Sequence, residues 1–185
     1  MKIKDLDITF KTLDTIGDGS CLIHAVLQAF SKDYNLLNNG FEKSKLVKEV
    51  RYHFSEILSL PSPTKKDKNI YQTLSRGELE NIGQEINEAK IEYMKKYLDS
   101  RHFLTLQYVE LISEIFDINI IFISSSDNSI YQSGDHELLF KKNRDTVFIY
   151  YIEETHFETI TIGNKTLFKS DSEIIKKVYK NLFKP

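Results

Sequence analysis

The chain holds a single cysteine among its 185 residues and no tryptophan, and neither cationic nor anionic residues dominate it. One cysteine excludes an internal disulfide and a cysteine-rich zinc site. A reducing compartment fits that usage. With 25 Lys and Arg against 27 Asp and Glu, the net charge is -2. No global basic field therefore argues for nucleic-acid binding. No apolar run approaches the roughly 20 residues that span a bilayer. The opening MKIKDLDITF alternates charged and apolar residues without the apolar stretch of a secretory leader. The five histidines show no HxH or HxxxH spacing, so no metal site is expected. A Gly-rich phosphate cradle is absent as well. The expectation is a soluble, cytosolic, monomeric domain over residues 1–185, without nucleic-acid or membrane partners.

What is present is a core. Hydrophobic residues make up 41% of the chain, near the globular norm. At this length about 70% of the unfolded chain's surface can be buried. Ile8 to Leu13 alternates and predicts a strand. Asp14 to Ser20 is a loop, Cys21 to Ser31 a buried helix, and Asn35 to Gly40 a polar turn. Leu46, Val47, Val50, Phe54, Ile57 and Leu58 recur at helical spacing up to the stop before Pro61. Ser75-Arg76-Gly77-Glu78 has the form of a capping box ahead of a helix reaching about Asp99. A further helix is expected from Thr105 to Phe116. Ile118 to Ile123 reads as a strand buried on both faces, and Thr146 to Ile152 as a second strand with His156 to Ile162 as its partner. Asp171 to Phe183 closes the chain as a helix. Helices first and strands later indicate an α+β fold.

The chemistry gathers at two places. In Gly17-Asp18-Gly19-Ser20-Cys21-Leu22-Ile23-His24-Ala25 a glycine-rich turn runs into the first helix. That puts Cys21 at a helix N-terminus, where unpaired N–H groups and the macrodipole favour a thiolate. The backbone N–H groups of Gly19, Ser20 and Cys21 are candidates for an oxyanion hole. Downstream, Thr155-His156-Phe157-Glu158 offers an imidazole with an acid two residues on. In a strand, residues i and i+2 share a face, so Glu158 can reach the far ring nitrogen of His156. Cysteine, histidine and acid together are the parts of a thiol acyl-transfer site. His24, one turn after Cys21, reads as packing or as part of the groove wall. The histidines His53, His102 and His136 have no partner pattern.

These residues resemble the OTU (ovarian-tumour) family of papain-like cysteine proteases, which act mainly as deubiquitinases. Asp18, Gly19, Cys21, Leu22 and Ala25 match its first signature, and His156-Phe157-Glu158 its second. Val109-Glu110-Leu111-Ile112-Ser113 leading into Ile118 to Ile123 is similar to its third. The family often carries a Trp before that Glu-Leu helix; this chain has none, and Tyr108 or Phe103 is the candidate to fill the space. The acid after the histidine is usually Asp or Asn and here is Glu158, one methylene longer. The resemblance implies a small mixed central sheet flanked by helices. It implies hydrolysis of the isopeptide bond at ubiquitin's C-terminus, with Cys21 as nucleophile and His156 as base. Glu158 would orient His156, with Asp18 as the other candidate, whose alternative duty is to order the oxyanion loop. Glu153 and Glu154 would meet the arginines of the ubiquitin tail. The implied partner is ubiquitin or polyubiquitin, or another ubiquitin-like modifier, and no cofactor is implied. A non-catalytic ubiquitin-binding module on the same fold is the rival reading.

Overall fold

The computed structural model of the chain describes residues 1–58, 60–61, 70, 88–100, 102–104, 106–131, 141, 143–153 and 155–182. A mixed sheet forms the middle layer. Its strands are β1 (Lys11–Leu13), β2 (Ile118–Ser124), β3 (Ile130–Tyr131), β4 (Asp145–Ile152), β5 (His156–Thr161) and β6 (Leu167–Phe168). They lie in the order β1-β5-β4-β2-β3, with β6 following β5 along the same side of β4. The β2–β4 pair is parallel and the other pairs are antiparallel.

The apolar run of β2, broken only by Asn119, has the predicted cause: its alternate residues serve two cores. Ile118, Ile120 and Phe122 face a cluster with Val147, Ile149, Phe157 and the apolar residues of α1 (Cys21–Phe30). Ile121 and Ile123 face the other side, with Phe148, Ile160, the N-terminal Ile3, Ile8 and Phe10, and Ile175 and Val178. These last two belong to α6 (Glu173–Leu182), the predicted terminal helix.

On the first face α1 is joined by α2 (Lys32–Leu36), α3 (Gly40–Ile57), α4 (Glu88–Asp99) and α5 (Val109–Phe116), the last entered through a 3-10 turn at Leu106–Tyr108. The region expected as a polar turn, Asn35 to Gly40, instead contains the end of α2 and the start of α3. Ser31 caps α2 by accepting the Tyr34 N–H, and Tyr34 is buried. Asn39 caps α3 by accepting the Glu42 N–H, while Glu42 reaches back to the Asn38 N–H. These side-chain caps start α3 six residues before its first apolar repeat position, Leu46. The Ser75–Glu78 capping box and the first part of the helix predicted to reach Asp99 lie outside the described residues. The strand predicted from Ile8 is paired continuously only from Lys11, where it meets Thr161 of β5.

Candidate active site

The site is built where α1 meets β5. Thr159 of β5 donates its hydroxyl to the Ala25 carbonyl at 2.8 Å, which pins the helix across the strand. Cys21 is the first residue of α1, as its glycine-rich approach requires, and Gly19 takes the positive φ of 84° that permits the turn. The approach is held from three sides. Asp18 accepts the Ser20 N–H at 3.1 Å on Oδ1, and the Ser44 hydroxyl at 2.8 Å and His24 Nε2 at 3.2 Å on Oδ2. Burial raises the Asp18 carboxyl, but these hydrogen bonds and the His24 ring bring it below its ordinary value overall. His24 is fully buried, and that burial pushes its pKa down against the pull of Asp18. A neutral ring that donates Nε2–H to Asp18 accepts at Nδ1, so Tyr34 donates its hydroxyl there, at 2.7 Å. His24 is therefore a strut of the loop.

The third tie was not singled out in the sequence. Arg51 of α3 is only 2% exposed. Its guanidinium donates to the carbonyls of Leu98, Gly19, His102 and Tyr97 and to the Ser20 hydroxyl, at 2.6 to 3.3 Å. The Gly19 carbonyl also accepts the Leu104 N–H at 3.1 Å. The peptide preceding Ser20 is thus fixed in orientation. A signal existed: Arg51 sits four residues after Val47 and three before Phe54, on the face that the helical spacing assigns to the core.

His156 opens β5. Its Nε2 lies 3.2 Å from Thr15 Oγ1 and 3.6 Å from Asp14 Oδ1. Thr15 Oγ1 donates to the Phe157 carbonyl at 2.5 Å, and the Thr15 N–H donates to Asp14 at 2.9 Å. The ring nitrogen of His156 and the carboxylates of Asp14 and Glu158 all lie within 4.8 Å of one another. The structure thus brings Glu158 to His156 and adds Asp14 and Thr15, which sequence reasoning missed. No one-sequence signal joins them to His156, because the β1–β5 pairing, Leu13 opposite Thr159, does so. The two carboxylates and the ring are also the one group, among the described residues, whose ligand atoms could reach a common cation. Their arrangement is equally that of an imidazole beside two acids, the nearer being Asp14.

The two halves meet through one peptide. The backbone N–H of Phe157 is directed at the Cys21 sulfur, while Cys21 and His156 make no direct hydrogen bond among the described residues. Burial pushes the Cys21 thiol up, and the Asp18 charge adds to that. The N–H groups of Phe157, Leu22 and Cys21 pull the other way without cancelling it. The thiolate expected from the helix N-terminus alone is thus outweighed in this state by desolvation of a cysteine that is only 2% exposed. Of the three oxyanion candidates, the Ser20 N–H is taken by Asp18, which leaves those of Gly19 and Cys21.

Phe103 stacks on Phe157 with ring centroids 5.7 Å apart, so it packs beside the site, while Tyr108 stacks on Tyr97. Glu153 is exposed and lines an open groove of about 600 Å³ with Tyr131, Tyr151 and Asp127. Glu154 lies outside the described residues.

The backbone resembles an OTU domain solved in complex with ubiquitin, with TM-score 0.56 and 15% identity over 91% of this chain and 80% of that one. It also resembles an OTU deubiquitinase from Wolbachia pipientis wMel, with TM-score 0.53 and 14% identity over 92% of this chain and 96% of that one. The chain has an OTU fold. The OTU domain of OTUD1 matches at TM-score 0.50 and 12% identity over 82% of this chain and 85% of that one. No protein-family model matches the sequence, and no curated protein matches it. The OTU fold is therefore carried by the arrangement of elements: a cysteine-headed helix crossing a mixed sheet beside a histidine-headed strand.

Proposed function

We propose that this chain is a cysteine-dependent deubiquitinase that hydrolyses the bond at the C-terminus of ubiquitin. One observation carries the reading. The lone cysteine heads a buried helix, and its sulfur meets the peptide joining His156 to Phe157, within an OTU fold. The thiol comes from α1 and the imidazole with its acid from β5, two segments far apart in sequence, and these are the groups that acyl transfer requires.

In this mechanism His156 takes the proton of Cys21, and the sulfur attacks the carbonyl carbon of the ubiquitin C-terminal glycine. The oxyanion that forms is held by the N–H groups of Cys21 and Gly19. His156 then protonates the departing lysine amine, and water releases ubiquitin from the thioester. Hydrogen bonds of this type tighten when substrate excludes water, so the lack of a Cys21–His156 hydrogen bond among the described residues does not oppose the role. Glu158 acts as the acid beside His156. Asp18 orders the loop instead, because Ser20, Ser44 and His24 engage its carboxylate. The exposed Glu153 faces the basic ubiquitin tail.

The test is intact mass after incubation with ubiquitin carrying a C-terminal electrophile. A single adduct on the wild type, lost in Cys21→Ala and slowed in His156→Ala, supports the enzyme. A second reading, a ubiquitin-binding module without catalysis, draws on the raised thiol and the missing Cys21–His156 bond. Binding to ubiquitin without capture of the electrophile would select it. Capture of a different ubiquitin-like probe alone would move the substrate to another modifier.

A further inference from the structure

The hydroxyl of Thr15 carries one proton, and the geometry says where it goes. Oγ1 donates it to the Phe157 carbonyl at 2.5 Å. The same oxygen sits 3.2 Å from His156 Nε2. With its proton committed, Oγ1 can meet the ring only as an acceptor. The carboxylate nearest that nitrogen is Asp14, with Oδ1 at 3.6 Å. Ionised carboxylates accept and do not donate. Both groups that meet Nε2, Thr15 Oγ1 and Asp14 Oδ1, therefore demand a hydrogen from it. A neutral imidazole carries only one N–H, so its lone pair is left on Nδ1.

We propose that Thr15 is the positioning residue that holds His156 in the Nε2–H tautomer, so that Nδ1 is the nitrogen that receives the Cys21 proton. The inference rests on the cysteine-hydrolase reading for its catalytic consequence, though not for the tautomer itself. Among the described residues, Thr15 is the one side chain within 3.5 Å hydrogen-bonding distance of the His156 ring. Asp14, on the same loop, is 89% exposed at its side chain, where water screens its charge. The hydroxyl is better placed for a second reason. Its bond to the Phe157 carbonyl ties it to the backbone next to the imidazole, so ring and acceptor move together. The Phe157 N–H at the other end of that residue is directed at the Cys21 sulfur. One residue thereby registers the base and the nucleophile against each other.

The experiment reads the tautomer directly, by long-range proton–nitrogen NMR of the ¹⁵N-labelled imidazole at a pH where His156 is neutral. The wild type is expected to show a protonated Nε2 and an unprotonated Nδ1. Thr15→Val keeps the shape and removes the acceptor, so its two ring nitrogens should move toward averaged shifts. Thr15→Ser should restore the wild-type pattern. In parallel, kcat/KM on a ubiquitin C-terminal fluorogenic substrate should fall about 10- to 100-fold in Thr15→Val, mostly through kcat. Thr15→Ser should stay within about threefold. Protonated Nδ1 in the wild type overturns the proposal. So does a Thr15→Val protein that keeps the Nε2–H pattern or the full kcat/KM. Should Thr15→Val fail to fold, Thr15→Ala is read in its place. Absence of any adduct between the wild type and a ubiquitin electrophile would sink the hydrolase reading, and the substrate-free NMR pattern would still decide the tautomer.

Discussion

Replacing Arg51 by methionine tests whether the loop before Cys21 is held by a buried cation. Methionine roughly fills the space of the side chain, so the cavity contribution is kept small. Its effect is then loss of the bonds. Five acceptors lose a charged donor: the carbonyls of Gly19, Tyr97, Leu98 and His102, and the Ser20 hydroxyl. Hydrogen bonds to charged groups contribute about 1.5–3 kcal/mol each, so the gross loss approaches roughly 10 kcal/mol. Against this stands the desolvation cost of burying a guanidinium, several kcal/mol, which the substitution removes. The Gly19 carbonyl also retains the Leu104 N–H. The net expectation is a destabilisation of about 3–5 kcal/mol. For a chain of this size each kcal/mol moves the melting midpoint by about 2–4 °C, so thermal unfolding should begin roughly 10 °C earlier. Arg51→Lys should fall between, because one ammonium cannot span acceptors on both sides of a planar fork. The assay is urea and thermal unfolding followed by circular dichroism. A shift in Arg51→Met below about 2 °C would mean that the five bonds only balance the desolvation, and that loop order has another source.

Other consequences can be checked with the same protein. Burial keeps His24 neutral in the folded state, below its ordinary pKa of 6.5. As pH falls through that value the unfolded chain takes up a proton that the folded one refuses. Stability should then decline with falling pH, and His24→Gln should flatten that slope in denaturation midpoints measured from pH 7.5 to 5. Asp18 has the opposite charge and a lowered folded pKa, so its contribution is present above its ordinary 3.8 and lost as pH falls below it. Asp18→Asn should remove that lower step and, by taking away the pull of Asp18 on His24, deepen the upper one. Because burial raises the Cys21 thiol, iodoacetamide should label the free protein more slowly at pH 7.5 than an unstructured cysteine peptide. The rate should climb steeply at alkaline pH, and equal labelling at neutral pH would contradict the buried thiol. Asn39→Ala removes the cap of α3 and should cost about 1 kcal/mol in urea unfolding.

Much of this site is legible in the residues because its two principal groups start elements. A cysteine after Asp18-Gly19-Ser20 and before an apolar run can hardly be elsewhere than at a helix N-terminus. A histidine that begins an alternating run after Glu153-Glu154-Thr155 begins a strand. Glu158 followed from strand periodicity alone. Thr15 did not, since it lies 141 residues from His156 and only the β1–β5 register brings them together. Arg51 and His24 stand as polar residues at apolar helical positions, though only His24 was singled out. The partners of Arg51 were not legible, because most are backbone carbonyls, which leave no trace in side-chain identity, and those of His24 meet it only through the fold. The short helix α2 was missed for a related reason: the capping of Ser31 and the burial of Tyr34 override a run that looks like turn material.

The division of labour around the site follows from these supports. The nucleophile's side is fixed from the helical layer, through Arg51 on α3 and the chain of Tyr34, His24, Asp18 and Ser44. The imidazole's side is fixed from the sheet edge, through Thr15 and Asp14 just after β1. No hydrogen bond joins Cys21 to His156 in the free protein among the described residues, so each group is held by its own layer and the Phe157 residue spans them. An acid in the first motif then has a structural duty, since Asp18 holds the Ser20 N–H and ties the loop to Ser44 and His24. The carboxylate that sits closest to the nucleophile in sequence thereby serves the loop, and it raises the thiol it precedes. In the proposed mechanism, activation of that thiol comes from the opposite layer, where His156 and its acceptor Thr15 stand.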